Sequence, residues 1–170
     1  EFMLKLLQIN TSVNTGSTGR IAEEIGSTAM KAGFRSYIAY GRMARESKSQ
    51  LIHIGNMASV RSHVLESRLW DNHGFASTKL FVKELERINP DIIHLHNLHG
   101  YYLNVEVLFD YLEKVQKPIV WTLHDCWPMT GHCSYFDFVH CDRWKTGCYA
   151  CPNLKGYPVS LFLDRSKQNF

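Results

Sequence analysis

Three apolar runs in this chain end in polar side chains, and no other feature constrains the fold as strongly. Leu4–Asn10 is the first, Asp91–His96 closes on two histidines, and Pro118–Leu123 leads into His124-Asp125. A run of this kind is buried along its length and delivers polar groups only at its carboxyl end. Parallel strands of open α/β sheets have that character, and their ligands gather along the carboxyl edge.

Helical periodicity fills the intervals. Ile21, Ile25, Ala29 and Ala32 recur at three- and four-residue spacing, which predicts a helix from about Arg20 to Ala32, closed by Gly33. Ser36–Gly41 and Leu51–Gly55 read as a second and a third strand. Met57–Asn72 carries helical spacing in Val60, Val64 and Leu65. Ser77–Asn89 places Leu80, Phe81, Leu85 and Ile88 on one face and stops before Pro90. Leu103–Val115 is a further helix, and Val159–Phe170 opens a last one. Strands alternating with helices predict an α/β fold: a Rossmann-like parallel sheet with right-handed crossovers and helices on both faces. From Asp125 to Pro158 neither period is present, so a long cysteine-rich loop follows the fifth strand. A loop of that length is expected to be functional or pinned.

At 170 residues the chain suits one domain spanning 3–170, with Glu1-Phe2 read as cloning residues. The formal charge of +3 is small and scattered, which argues against a nucleic-acid partner. No run reaches the ~18 apolar residues of a membrane span, and Met3 leads directly into a strand pattern rather than a signal peptide. Five cysteines in such a chain point to a cytoplasmic protein with metal-bound or free thiols rather than disulfides.

Four segments carry chemistry. Asn14–Arg20 is rich in Gly, Ser and Thr between the first strand and first helix, where glycines allow close backbone approach and a helix N-terminus attracts anions. It matches neither a dinucleotide fingerprint nor a Walker loop. His94, His96 and His99 close the fourth strand; they suit a polar lining better than a catalytic metal, and a satisfied core role competes for His94. His124 can exchange a proton near neutral pH, and Asp125 either orients it or caps the following loop. The thiol of Cys126 has no activating neighbour in the sequence.

Cys133, Cys141, Cys148 and Cys151 form the fourth segment. Cys148-Tyr149-Ala150-Cys151 has the short bite of a zinc knuckle, and four thiolates complete a tetrahedral structural site. Reduced packing thiols and disulfides are the alternatives, and His132 and His140 are spare ligands. Trp121, Trp127, Tyr135, Phe136, Phe138, Trp144 and Tyr149 crowd the same stretch, either as a local core or as a platform for sugars.

Taken together, Asn14–Arg20, Pro90–Asn97, Thr122–Asp125 and the run from His124 to Cys133, continuing to Cys148 and Cys151-Pro152, resemble the N-terminal half of a GT-B glycosyltransferase. The similarity is to a cysteine-bearing branch of the retaining family 4 group of bacterial polysaccharide synthesis. It implies a sugar moved from a nucleotide-sugar donor to a glycan or lipid-linked acceptor, with peripheral membrane contact where the acceptor is a lipid. By that resemblance His124, with Asp125 beside it, stands near the reacting sugar. Gly16, Ser17, Gly19 and Arg20 approach donor phosphates or the acceptor, and His96 and Asn97 line the acceptor side. It implies no cofactor for the chemistry, so zinc on the four cysteines would be structural. The family's nucleotide domain is not in this sequence, so the fragment alone is expected to be inactive. A non-catalytic carbohydrate- or protein-binding module with a zinc-pinned loop is the competing reading. A dinucleotide-dependent oxidoreductase fits poorly, because Ile38–Gly41 ends the second strand without an acidic residue for a ribose.

Overall fold

The computed structural model describes residues 3–55, 74–130, 133–148, 151–153 and 155. The helices expected over Met57–Asn72 and Val159–Phe170 lie outside them. Strand β1 (Lys5–Val13) is central and pairs on one side with β2 (Arg35–Ala44) and on the other with β4 (Ile92–Leu95). β2 continues to β3 (Gln50–His53), and β4 to β5 (Ile119–Trp121). The order β3-β2-β1-β4-β5 with every pair parallel is the Rossmann-like sheet that the strand–helix alternation predicts.

Helices cover both faces. Leu7 and Ile9 of β1 and Ile93 and Leu95 of β4 pack against Phe81 and Leu85 of α2 (Phe75–Ile88) and Leu108 and Leu112 of α3 (Val105–Val115). On the opposite face Val13 and Ile38 meet Ala22 of α1 (Gly16–Lys31). Each such apolar side chain contributes roughly 1.5–3 kcal/mol on burial, so the two-sided core is what holds the carboxyl edge in place. None of the described helices is long and apolar enough to cross a membrane.

Three expectations need correction. The first loop is shorter than its composition suggests. β1 runs on to Val13 because Ser12 and Val13 regain register with Met43 and Ala44 after an irregularity, and only Asn14 and Thr15 separate it from α1. Gly16, Ser17 and Gly19 therefore lie inside the first helical turns. The buried stripe of α1 is also not Ile21-Ile25 but Gly19, Ala22 and Gly26, and Ile21 is 38% exposed. A Cβ on Gly26 would stand 2.5 Å from Ser49 Oγ and 2.8 Å from Ser36 Oγ, so the helix sits too close to the sheet for larger residues. In α2, Leu80 is 66% exposed, and Ser77 and Thr78 take its place against the core.

Candidate functional site

A column of histidines runs from the sheet interior to the carboxyl edge. His94 and His96 alternate along β4 and its extension, so both rings project from the same face and stack with centroids 4.2 Å apart. His124, just past β5, lies nearly parallel to His96, with centroids 5.2 Å apart and planes 18° apart. The backbone of His96 is fixed by its N–H to Ile9 O (2.9 Å) and by the Trp121 indole donating to its carbonyl (3.0 Å). At the foot of the column lies Gln8, fully buried in β1 directly beside His94 in the register.

Gln8 decides where the protons sit. Its Nε2 donates to the Ala22 carbonyl at 2.8 Å, which turns Oε1 toward His96 Nε2 at 3.0 Å. A carbonyl only accepts, so His96 Nε2 carries the hydrogen. Burial, with smaller contributions from His94 and His124, lowers the His96 pKa to about 3, so the ring is neutral and Nδ1 keeps its lone pair. His124 Nε2, 2.9 Å from that Nδ1, must therefore donate. The bare nitrogen of His124 is then Nδ1. Burial also lowers the pKa of His124, against the opposing charge of Asp125, and lowers that of His94, whose Nε2 bonds Thr122 Oγ1 at 2.8 Å.

Asp125 does not orient His124; its carboxylate is committed elsewhere. Oδ2 accepts from His99 Nε2 at 2.6 Å, and Oδ1 accepts from the Trp127 backbone N–H at 2.9 Å, which caps the turn opening the loop. Burial works to raise its pKa, but the hydrogen bond and charge of His99, with the Trp127 bond, hold it below the ordinary carboxylate range. The His99–Asp125 pair forms one wall of a cavity of about 300 Å3, together with Asn97, Ser134, Tyr135, Phe138 and Asn153. Of the residues expected to line a substrate pocket, Asn97 does so. His96, at 2% exposure, is buried beneath His124 instead.

The glycine segment sits at the neighbouring strand end. Gly16 has φ +65° with open space around it, Ser17 and Arg20 are exposed, and Arg20 Nε donates to Gly16 O at 2.9 Å. Gly19 is packed: a Cβ there would meet Ser12 Oγ at 3.0 Å. Asn10 ties this segment to β4, donating to Ser12 O at 2.9 Å and accepting from the Asn97 N–H at 3.4 Å. Cys133, Cys141, Cys148 and Cys151 line a separate cavity of about 10 Å3, and none is in a disulfide. Gln8 and Thr122 escaped sequence reasoning; a single polar residue within an otherwise apolar strand was the available signal for Gln8.

No family model matches this chain. It is 32% identical, over an alignment of 178 positions, to the protein named as the colanic acid biosynthesis glycosyl transferase WcaC of Escherichia coli (strain K12). The match takes in 97% of this chain and 43% of that protein. The chain thus spans less than half the length of the relative it resembles.

Proposed function

We propose that the chain is the acceptor-side part of a retaining GT-B glycosyltransferase, which moves a sugar from a nucleotide-sugar donor to a hydroxyl of a glycan or lipid-linked acceptor. The match to a glycosyl transferase across 97% of the chain carries this reading. The histidine column supplies its chemistry. His124, kept neutral, offers Nδ1 as a hydrogen-bond acceptor to a sugar hydroxyl at the cleft. Gln8 acts as a positioning residue, setting that tautomer through His96. Asn97 and the His99–Asp125 pair form the polar side of the acceptor cavity, and Tyr135 and Phe138, 62% and 87% exposed, present flat apolar faces to a sugar ring. The first turns of α1, through the exposed Gly16, Ser17 and Arg20, face the donor phosphates, while the packed Gly19 lets the helix sit close to β1. The nucleotide itself is held by residues beyond the matched part, in a cytoplasmic enzyme that touches the membrane peripherally where its acceptor is a lipid. The reaction needs no metal.

The test is transfer by the full-length protein from a panel of nucleotide sugars, comparing wild type with His124→Ala. The expected result is donor turnover by wild type that falls about 100-fold in the variant at an unchanged melting temperature. No transfer by wild type from any donor, or equal rates in the two proteins, would overturn the reading.

A further inference from the structure

Five cysteines fall within the segment after β5, and the fold sorts them. Cys133, Cys141, Cys148 and Cys151, drawn from three separated stretches of loop, line one cavity with Phe136, Arg143, Trp144 and Pro152. Cys126 is not among them; the charges that act on it are those of Asp137 and Asp125. The spare histidine at position 140 is exposed and does not line the cavity. The void is about 10 Å3, room for a single small atom.

Among the described residues no three His, Cys, Asp or Glu side chains form a ready-made metal site. The thiols lie outside regular structure, and the described residues between them form only short 3-10 turns, at Asp137–Val139 and Arg143–Lys145. Each is closed by few hydrogen bonds, so drawing the sulfurs in to the ~2.3 Å of a zinc–thiolate bond disturbs no ladder. Stacked Phe136 and Trp144, 4.8 Å apart, wall off one side, and Arg143 supplies positive charge beside the cluster.

We propose that these four cysteines bind one zinc ion as a structural clamp, and that the clamp sets the outer wall of the larger cavity beside His99 and Asp125. The second half of the proposal comes from chain positions. Ser134 and Tyr135 follow Cys133, Phe138 lies three residues before Cys141, and Asn153 lies two residues after Cys151. These are the loop residues that line the 300 Å3 cavity. Fixing the sulfurs therefore fixes that wall. Binding replaces four S–H protons with one Zn2+, giving a tetrathiolate of net charge −2 that Arg143 partly offsets. Because the metal takes the place of those protons, binding weakens in acid.

The experiment is zinc content by elemental mass spectrometry on reduced protein supplied with equimolar metal, for wild type, Cys126→Ser and the pair Cys148→Ser/Cys151→Ser. About one zinc per chain is expected in wild type and Cys126→Ser, and almost none in the pair. Cobalt in place of zinc should give the visible absorption of a tetrahedral thiolate site in wild type. Chelation should speed protease cleavage between Cys133 and Cys151 while the sheet's circular dichroism persists. Reduced wild type that takes up neither metal, an equal loss of zinc in Cys126→Ser, or a Cys148–Cys151 disulfide in freshly isolated protein would each overturn the clamp. Should the pair variant fail to fold, the wild-type titration and Cys126→Ser still decide. Metal content does not depend on glycosyl transfer, so the two proposals fail separately.

Discussion

The sheet region, residues 5–55 and 74–121, and the described part of the loop that follows it keep their shape by different means. In the first, β1 is hydrogen-bonded on both sides and Leu7, Ile9 and Ile93 are fully buried, so backbone ladders and apolar burial act together. In the second, the described residues contain only three short 3-10 turns, and Tyr135 and Phe138 face outward. The cavity lies where the two regions meet, with Asn97, His99 and Asp125 from the strand ends and Ser134, Tyr135, Phe138 and Asn153 from the loop. An edge held by backbone ladders supplies the polar groups, and a wall of loop residues faces them.

The sharpest break of this comparison is a substitution that touches only the sheet region. A Cβ on Gly41 would lie 2.1 Å from Cβ and Cγ of the fully buried Tyr102. Gly41→Ala must displace that ring and should cost about 3 kcal/mol, at the upper end for overpacking. The Tyr102 hydroxyl donates to the Asn97 carbonyl at 2.7 Å, so the same change should loosen the cavity edge. Thermal melting checks the first effect. Zinc content should not move, because the proposed clamp lies outside the sheet.

Acid should strike the histidine column next. An unfolded histidine titrates near 6.5, whereas folded His96 takes its proton only at about 3. Between those values the unfolded state binds more protons, so stability falls as the pH drops. His94 and His124 act in the same direction. Asp125 adds stability that is present above the ordinary carboxylate pKa and lost as pH falls through its lowered one. The loss from His96 alone is on the order of 3 kcal/mol between about pH 7 and pH 4. Denaturant titrations across that range check it. In His96→Phe most of the dependence should vanish, while a chelator at neutral pH should weaken only the loop.

How much of this the sequence displayed follows the same division. Strand and helix alternation was legible because apolar runs closing on polar residues mark the strands and a period of 3.6 survives in Phe81…Leu85…Ile88. The buried stripe of α1 was not, since close packing on Ser36 and Ser49 selects glycine and hydrophobicity does not register a missing side chain. His124 and the four cysteines stood out by residue type. The His99–Asp125 bond did not, because it depends on two strand ends 26 residues apart lying side by side. Gln8 was hidden for the opposite reason: within Leu6-Leu7-Gln8-Ile9 it reads as strand, and only the sheet register places it beside the histidines.

Gln8→Leu sharpens the comparison where the scaffold reaches into the site. It leaves the buried His96 Nε2–H without an acceptor, which costs about 1–3 kcal/mol unless the ring changes tautomer. The ring can escape by moving its proton to Nδ1, which then donates to His124 Nε2 and transfers the His124 proton to its own Nδ1. The expected result is a modest fall in melting temperature, with an exchange of protonated and bare nitrogens in the 15N spectrum of His124. Turnover in the full-length protein should fall as well. An unchanged His124 spectrum would show that the glutamine does not set the tautomer.

The smallest effect on stability should come from the outermost residue of the loop wall. Phe138 is 87% exposed, so Phe138→Ser removes little buried surface and should shift stability by less than about 0.5 kcal/mol. It nevertheless lines the same cavity as the His99–Asp125 pair. A contact made to bound acceptor and transition state alike raises KM and leaves kcat unchanged when it is removed. In the full-length protein Phe138→Ser should therefore raise the acceptor KM several-fold at constant kcat. His124→Ala should do the reverse, lowering kcat at nearly constant KM. If Phe138→Ser lowered kcat instead, the loop wall would be helping to organise the reacting groups, and the division between a chemical edge and a binding wall would fail.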